Sequence, residues 1–357
     1  MLDIVAVLDP ALHTLRWAFE QSELGAASPQ KVLFLSARCT ADLSPWPAWS
    51  MTCVQGFYPH ALGLQNAGYT VVADLDLISQ RNAYDFVLLL PGRQRDHNRG
   101  LLAAAVHLVK PAGHLLISVA NNEGAGAMQR DCAQLLGLVQ SMSKNKCRAL
   151  WAQVGQAAKQ SILCRQWAAL LEPRYQADSQ LYLQPGVFNN GALDIGSALL
   201  IDCFDSMLRG SVADLGAGSG VLAKALLERS PEIEAIDLYE ADHAALKLAK
   251  ANLRKYTKPI NYYWTDITTA GNGKYDLVIS NPPFHAGRAD EPELGRQFIR
   301  VAAQMLKSGG QLLLVANRHL PYESVLNECF DELVQLKNQH GYKVFRARQP
   351  KPLCGKR

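Results

Sequence analysis

The chain has 357 residues, 48% hydrophobic and 19% charged, which is long enough for two α/β domains with separate cores and unusually long for one. Its formal net charge of +4 is compatible with a polyanionic partner but is shared by many ordinary enzymes, so charge alone selects no function. The eight cysteines (Cys39, Cys53, Cys132, Cys147, Cys164, Cys203, Cys329 and Cys354) form no C-x-x-C pair, and no histidine stands at metal-ligand spacing, which argues against zinc and against a disulfide framework.

Met1 to Asp9 carries no positively charged region ahead of its short apolar run, and no stretch approaches the length of a membrane-spanning helix. A soluble, unexported protein of a reducing cytoplasm is expected, with no metal and no membrane association. In the N-terminal half, Lys31 to Ser36 and Asp85 to Leu90 are short apolar runs bounded by polar or turn residues, as buried strands of a parallel sheet are. Amphipathic stretches at Gly100 to Val109 and Ala125 to Leu138 supply the helices of βαβ units. Pro173, Pro185, Gly186 and Asn189-Asn190-Gly191 then cluster between Glu172 and Asn190 and mark a linker, dividing the chain into domains 1–172 and 173–357.

The second domain opens on a sharper signal. Ser211 to Leu215 is an apolar strand that runs into Gly216-Ala217-Gly218-Ser219-Gly220 and then into the helical stretch Leu222 to Arg229. Glycines at alternate positions suit a turn on which a ligand lies against bare backbone. A dinucleotide fingerprint would require glycine where Val221 stands, and Asp214, two residues before the first glycine, is an awkward neighbour for a pyrophosphate. The same carboxylate suits a ligand with an ammonium group and hydroxyls, which points to S-adenosylmethionine.

Glu240 ends the next strand, Ile233 to Tyr239, about twenty residues after the last glycine, where a ribose-binding acid belongs. Asp237 lies within that strand, and Asp242 begins the helix carrying Ala245, Leu246, Leu248 and Ala249, where capping is the simpler role; Glu240 is therefore assigned. Asp266 closes the strand Tyr262 to Thr265 and is read either as an acceptor for the adenine amine or as an ordinary surface-turn aspartate.

Lys274 to Ser280 forms another apolar strand and delivers Asn281-Pro282-Pro283-Phe284 to its carboxyl end, the place where open α/β sheets bind ligands. The exocyclic amine of a nucleobase is a poor nucleophile because its lone pair is delocalised into the ring. Two acceptors aimed at its two hydrogens favour a pyramidal nitrogen. The Asn281 side-chain carbonyl can be one, and the Pro282 carbonyl, held by rigid backbone without a competing amide donor, the other. Phe284 offers a flat face on which a base stacks, typically contributing about 1–3 kcal/mol. Methyl transfer from a sulfonium then needs proximity and alignment, with neither metal nor covalent intermediate.

The two halves also match each other. Tyr84 to Pro91 resembles Tyr275 to Pro282, Val109-Lys110-Pro111-Ala112-Gly113 resembles Leu306-Lys307-Ser308-Gly309-Gly310, and Val119-Ala120-Asn121 resembles Val315-Ala316-Asn317. An offset of roughly two hundred residues marks duplicated domains and not short solenoid repeats. The first copy has Leu90-Pro91-Gly92-Arg93 in place of the tetrapeptide and no glycine loop, so only the C-terminal copy is expected to be active. The fold class is α/β, two tandem doubly wound Rossmann-like domains from an internal duplication.

These motifs, with Pro185 to Phe188, Leu193 to Ser197, Leu320-Pro321-Tyr322 and Tyr342 to Ala347, resemble the bacterial ribosomal RNA guanine-N2 methyltransferases of the RsmC/RlmG family over most of residues 180–350. The resemblance implies an S-adenosylmethionine-dependent enzyme that methylates the exocyclic N2 amine of a guanine in ribosomal RNA. It implies a pocket lip at Phe188 to Gly196, with Asp194 and Gly196 toward the cofactor, and a flipped guanine held by Asn281 to Phe284. Leu320-Pro321-Tyr322 and the pattern of the N-terminal copy lean to the 16S, small-subunit members, and Arg318-His319 to the 23S members; the 16S target is favoured, with 23S as the alternative. Adenine-N6 and protein-glutamine methylation remain as alternatives; a monomer is expected, with ribosomal RNA or the small ribosomal subunit as its partner. Basic residues available for phosphate are Arg93, Arg95, His97, Arg99, Lys343, Arg346, Arg348, Lys351, Lys356 and Arg357, and solvated surface charge is the plainer reading for most of them.

Overall fold

The computed structural model describes residues 9–26, 31–39, 50–188, 193–269, 273–283, 285–286, 289–290 and 292–352. The chain divides into two units, one of Leu2–Arg174 with Gln184–Gly186, the other of Tyr175–Leu183 with Val187–Arg357.

The N-terminal unit holds strands β1 (Lys31–Leu35), β2 (Ser50–Val54), β3 (Thr70–Val72), β4 (Tyr84–Leu89), β5 (Val109–Ala120), β6 (Gln140–Lys144) and β7 (Cys147–Gln153) in one sheet of order β3-β2-β1-β4-β5-β7-β6. Helices α1 (Pro10–Gln21), α2 (Tyr58–Asn66), α3 (Arg95–Leu108), α4 (Ala125–Leu136), α5 (Gln156–Gln160) and α6 (Ile162–Ala168) belong to the same unit. The short strands β8 (Arg174–Gln176) and β9 (Leu181–Leu183) pair with each other.

The C-terminal unit builds its main sheet from β10 (Gly210–Leu215), β11 (Ile233–Glu240), β12 (Ile260–Trp264), β13 (Tyr275–Ser280), β16 (Leu306–Asn317), β17 (Phe330–Gln339) and β18 (Tyr342–Pro350). A separate two-residue ribbon pairs β14 (His285–Ala286) with β15 (Ala289–Asp290). Its helices are α7 (Ile195–Ile201), α8 (Val221–Arg229), α9 (His243–Leu253), α10 (Pro292–Met305) and α11 (Glu323–Cys329). The sheet order is β12-β11-β10-β13-β16-β18-β17, so the two sheets have the same topology position for position.

Finer details repeat as well. β5 and β16 have the same length and the same succession of buried and exposed residues. Each bends through a residue in the left-handed region, Ala112 at φ 61° and Gly309 at φ 84°. Asp85 accepts the Lys31 amide at 2.9 Å through Oδ2 and pairs with Lys110 through Oδ1, while Asp276 Oδ2 accepts the Ser211 amide at 2.9 Å and the Lys307 ammonium at 2.8 Å. Burial would raise these carboxyls, but the lysine and the amide outweigh it and hold both below the ordinary carboxylate range. Sharing a strand order follows from shared βαβ grammar. Sharing this aspartate, amide and lysine lock at one strand junction is what a duplicated ancestor leaves behind.

In both units the sequence under-read the sheet. The last two strands pair antiparallel, β7 on β5 and β6 on β7, β18 on β16 and β17 on β18, so each sheet is mixed and not purely parallel. Gln140–Lys144 is largely polar because it lies at the sheet edge, and an apolar-run criterion passes over such a strand. No helix among the described residues is long and apolar enough to cross a membrane.

Candidate active site

The register of the C-terminal sheet sets four chain segments side by side. Leu215 pairs with Tyr239 on one flank and Ser280 on the other, and Glu240 pairs with Trp264. Gly216, Glu240, Asp266 and Asn281 therefore all leave the carboxyl ends of adjacent parallel strands. The chain moves outward from β10 through β11 to β12, then returns to β13 on the other side of β10, so Gly216 and Asn281 flank the topological switch point. In sheets of this kind that is where ligands bind.

The turn after β10 owes its shape to glycine. Gly216, Gly218 and Gly220 all have positive φ, at 72°, 55° and 80°. Side chains are strained there. A Cβ on Gly220 would lie 3.2 Å from Ala249 Cβ and Leu253 Cδ1, so this glycine also lets α8 start against α9. A Cβ on Gly218 would meet nothing within 4 Å, which leaves its backbone open to a ligand. Buried Asn252, on α9, donates to the Ser219 carbonyl at 2.9 Å and accepts the Tyr182 amide at 2.6 Å, pinning the turn to β9. Sequence reasoning missed Asn252, because a lone asparagine in a helix shows nothing of its tertiary partners.

The acids separate by role. Asp214 is fully buried, and among the described residues neither carboxylate oxygen has a hydrogen-bond partner. Burial first, and the nearby Glu240 carboxylate second, push its carboxyl up to about 8. Glu240 accepts the Gly218 amide at 2.8 Å through Oε2 and the Asp242 amide at 2.8 Å through Oε1, so it braces the glycine turn directly. Asp242 caps α9 by accepting from the Ala244 amide. Asp237 accepts from Tyr275 Oη at 2.6 Å and Asn261 Nδ2 at 2.8 Å. Asp266 Oδ1 accepts from the Thr268 amide and hydroxyl, the turn-forming use open to any strand-end aspartate, while its strand position keeps it on the rim of the site.

On the other flank Asn281 is half-buried, Pro282 buried and Pro283 exposed. Pro283 Cδ would lie 3.8 Å from a Cβ on Gly216, so the tetrapeptide and the glycine turn adjoin. Asn281 Nδ2 donates to Asp194 Oδ2 at 3.2 Å and to Ser197 Oγ at 2.9 Å. Asp194 is also the N-cap of α7, its Oδ1 accepting the Gly196 and Ser197 amides. Gly196 is buried, and a Cβ on it would lie 2.9 Å from the Tyr342 ring. Phe284 and the tip Asn189 to Ala192 of the expected lip lie outside the described residues, and of His285 only the backbone is described. Among the described residues no group of three or more His, Cys, Asp or Glu side chains could hold a metal.

The family model for the methyltransferase small domain matches residues 178–346. The match spans somewhat less than half of the chain. Over 163 residues the chain is 37% identical to the ribosomal RNA small subunit methyltransferase C of Klebsiella pneumoniae, an alignment covering 46% of this chain and 47% of that one. In that comparison, as in several like it, the chain spans about half the length of the curated relatives it matches. Against the enzyme of the same name from Pectobacterium atrosepticum the identity is 26% over 287 residues, 80% of each chain. The T. thermophilus 16S rRNA N2 G1207 methyltransferase, solved with AdoMet and guanosine, has the same two-domain fold, with a TM-score of 0.77 at 23% identity over 96% of this chain and 92% of that one.

Set beside the C-terminal unit, the N-terminal unit shows what it lacks. Matching the strand registers of the two sheets makes Phe34 the counterpart of Asp214, Ser36 of Gly216, Gln55 of Glu240 and Leu90 of Asn281. Phe34 and Leu90 are buried apolar side chains. Gln55 keeps the geometry of Glu240 without its charge, accepting the Phe57 amide at 2.7 Å and donating to the Ala37 carbonyl. Several arginines offered above for phosphate are already engaged within this unit. Arg93 pairs with Glu123 at 3.4 Å, and Arg95 and Arg99 share the buried Asp131 at 2.8 and 3.1 Å. His97 Nδ1 lies 3.0 Å from the Pro185 carbonyl, and burial lowers its pKa, so it reads as a neutral donor to that carbonyl and not as a phosphate contact. In the tail, Lys343 pairs with Glu323 and Lys351 with Asp331, while Lys356 and Arg357 lie outside the described residues.

Proposed function

We propose that the C-terminal unit transfers a methyl group from S-adenosylmethionine to the exocyclic N2 amine of a guanine in 16S ribosomal RNA, in the cytoplasm. The observation that carries this reading is the juxtaposition of two parts at one switch point. One is a bare glycine turn backed by an orphaned carboxylate, and the other is Asn281-Pro282-Pro283 packed against it. An unpartnered buried Asp214 suits a cationic ligand, and the open backbone at Gly218 suits close approach, so the residues present fit this cofactor. The names of the relatives supply the nucleic acid and the base.

When bound, S-adenosylmethionine supplies an electrophilic methyl on a sulfonium. Asp214 and Glu240 would hold its ammonium and ribose ends, Asp266 its adenine, and Gly216 to Gly220 would let it lie on backbone. Asn281 Oδ1 and the Pro282 carbonyl would accept the two amine hydrogens, which turns the nitrogen lone pair away from the ring and toward the methyl. Phe284 would stack on the base. The N-terminal unit, with apolar Phe34 and Leu90 in place of Asp214 and Asn281 and no glycine turn, would serve RNA recognition or support.

Mass mapping of ribosomal RNA from cells lacking the gene should reveal one guanine in 16S RNA that is lighter by one methyl. Complementation should restore it, and Asn281→Ala should not while still binding the cofactor. A missing methyl on 23S RNA, on adenine or on a protein glutamine would redirect the substrate. Normal turnover by Asn281→Ala would sink the acceptor site.

A further inference from the structure

An asparagine amide flips with almost no change in shape, exchanging its acceptor for its donor. A residue that must accept hydrogens from an amine works in one flip state only. The surroundings of Asn281 choose that state. Its Nδ2 faces two acceptors, Asp194 Oδ2 at 3.2 Å and Ser197 Oγ at 2.9 Å. A carboxylate can only accept, so the reversed amide would set oxygen against oxygen. Asp194 is itself fixed, because its Oδ1 accepts the Gly196 amide at 2.8 Å and the Ser197 amide at 3.2 Å in the first turn of α7. Ser197 is buried, and the residues that follow it on α7, Leu199, Leu200 and Ile201, are buried in the core, so both partners ride on an anchored element.

We propose that Asp194 and Ser197 are positioning residues that lock Asn281 with Oδ1 toward the substrate amine, and that Asp194 therefore serves the acceptor and not the cofactor. This departs from the cofactor-lip role that the family resemblance implies for Asp194. It rests on Asn281 being the acceptor clamp. Both amide hydrogens are then taken by the protein, and among the contacts of the described residues none engages Oδ1, which is left for the substrate.

The test uses the full-length protein. Asp194→Asn keeps the size and the capping oxygen of the side chain, but it turns an NH2 toward Asn281 Nδ2. It should lower kcat by about tenfold to a hundredfold, the scale of a misplaced reacting group, with cofactor affinity by calorimetry and thermal midpoint nearly unchanged. Ser197→Ala, which leaves the cap intact, should give a smaller loss with the same signature. The double variant Asp194→Asn with Asn281→Asp reverses donor and acceptor and should recover part of the activity that each single variant loses.

The proposal is overturned if Asp194→Asn and Ser197→Ala keep full kcat while Asn281→Ala abolishes it. It is equally overturned if Asp194→Asn acts by weakening cofactor binding, which would return Asp194 to the pocket lip. An active Asn281→Ala would remove the acceptor-clamp reading, and this inference with it.

Discussion

A single buried carboxyl makes a testable electrostatic feature of the C-terminal unit. Asp214 is buried with no hydrogen-bond partner among the described residues, and its pKa is pushed up to about 8 from an ordinary value of 3.8. Between those values the folded chain holds a proton that the unfolded chain has released, so the Asp214 contribution to stability declines as pH rises through that window and is flat above it. Denaturant midpoints of the wild type should therefore fall relative to those of Asp214→Asn between pH 5 and about 8, and a pH-independent gap would refute the assignment. Cofactor binding should reverse the trend. An ammonium beside Asp214 favours the charged carboxylate, so near pH 7 binding should release close to one proton, read from calorimetry in buffers of different ionisation enthalpy.

At the scale of elements, the strand, glycine turn and helix from β10 to α8 combine two demands that substitution can separate. Gly220→Ala meets a left-handed backbone and contacts at 3.2 Å with Ala249 and Leu253, whereas Gly218→Ala meets the backbone strain alone. The backbone term is about 1–2 kcal/mol per residue. Urea unfolding should show Gly220→Ala the less stable of the two, while equilibrium binding should show Gly218→Ala losing more cofactor affinity per unit of stability lost. The opposite ranking would mean that the open side of the turn is not where the ligand lies. Asn252, which ties this turn to β9, explains why the loop is held firmly enough for such a distinction.

For the whole molecule the question is why two copies of one fold differ in chemistry. The sheet order, the Asp85 and Asp276 locks, and the matched β5 and β16 are retained, because they serve folding. The positions that diverge lie at strand ends, where Phe34, Ser36, Gln55 and Leu90 replace Asp214, Gly216, Glu240 and Asn281. Asn98 further closes the N-terminal loop, donating to the Gly92 carbonyl at 2.8 Å and accepting its amide at 3.0 Å. Titration of the full chain with cofactor should give one site, and a second site of comparable affinity would contradict the loss of binding groups in the first copy.

The sequence by itself determined the α/β class, the strand feeding the glycine turn, and the strand delivering Asn281-Pro282-Pro283, because each is written in contiguous residues whose spacing matches local backbone geometry. It also recorded the duplication, since Tyr84 to Pro91 and Tyr275 to Pro282 keep their order. The antiparallel edges were hidden because Gln140–Lys144 is polar. What only the tertiary structure decided are relations between distant side chains. Asp242 caps a helix while Glu240 braces the turn, Asp131 takes two arginines that seemed available for phosphate, and Asp194 and Ser197 set the direction in which Asn281 points. A hydrogen bond between residues more than eighty positions apart leaves no periodic trace, because its geometry exists only once the sheet has brought both ends together.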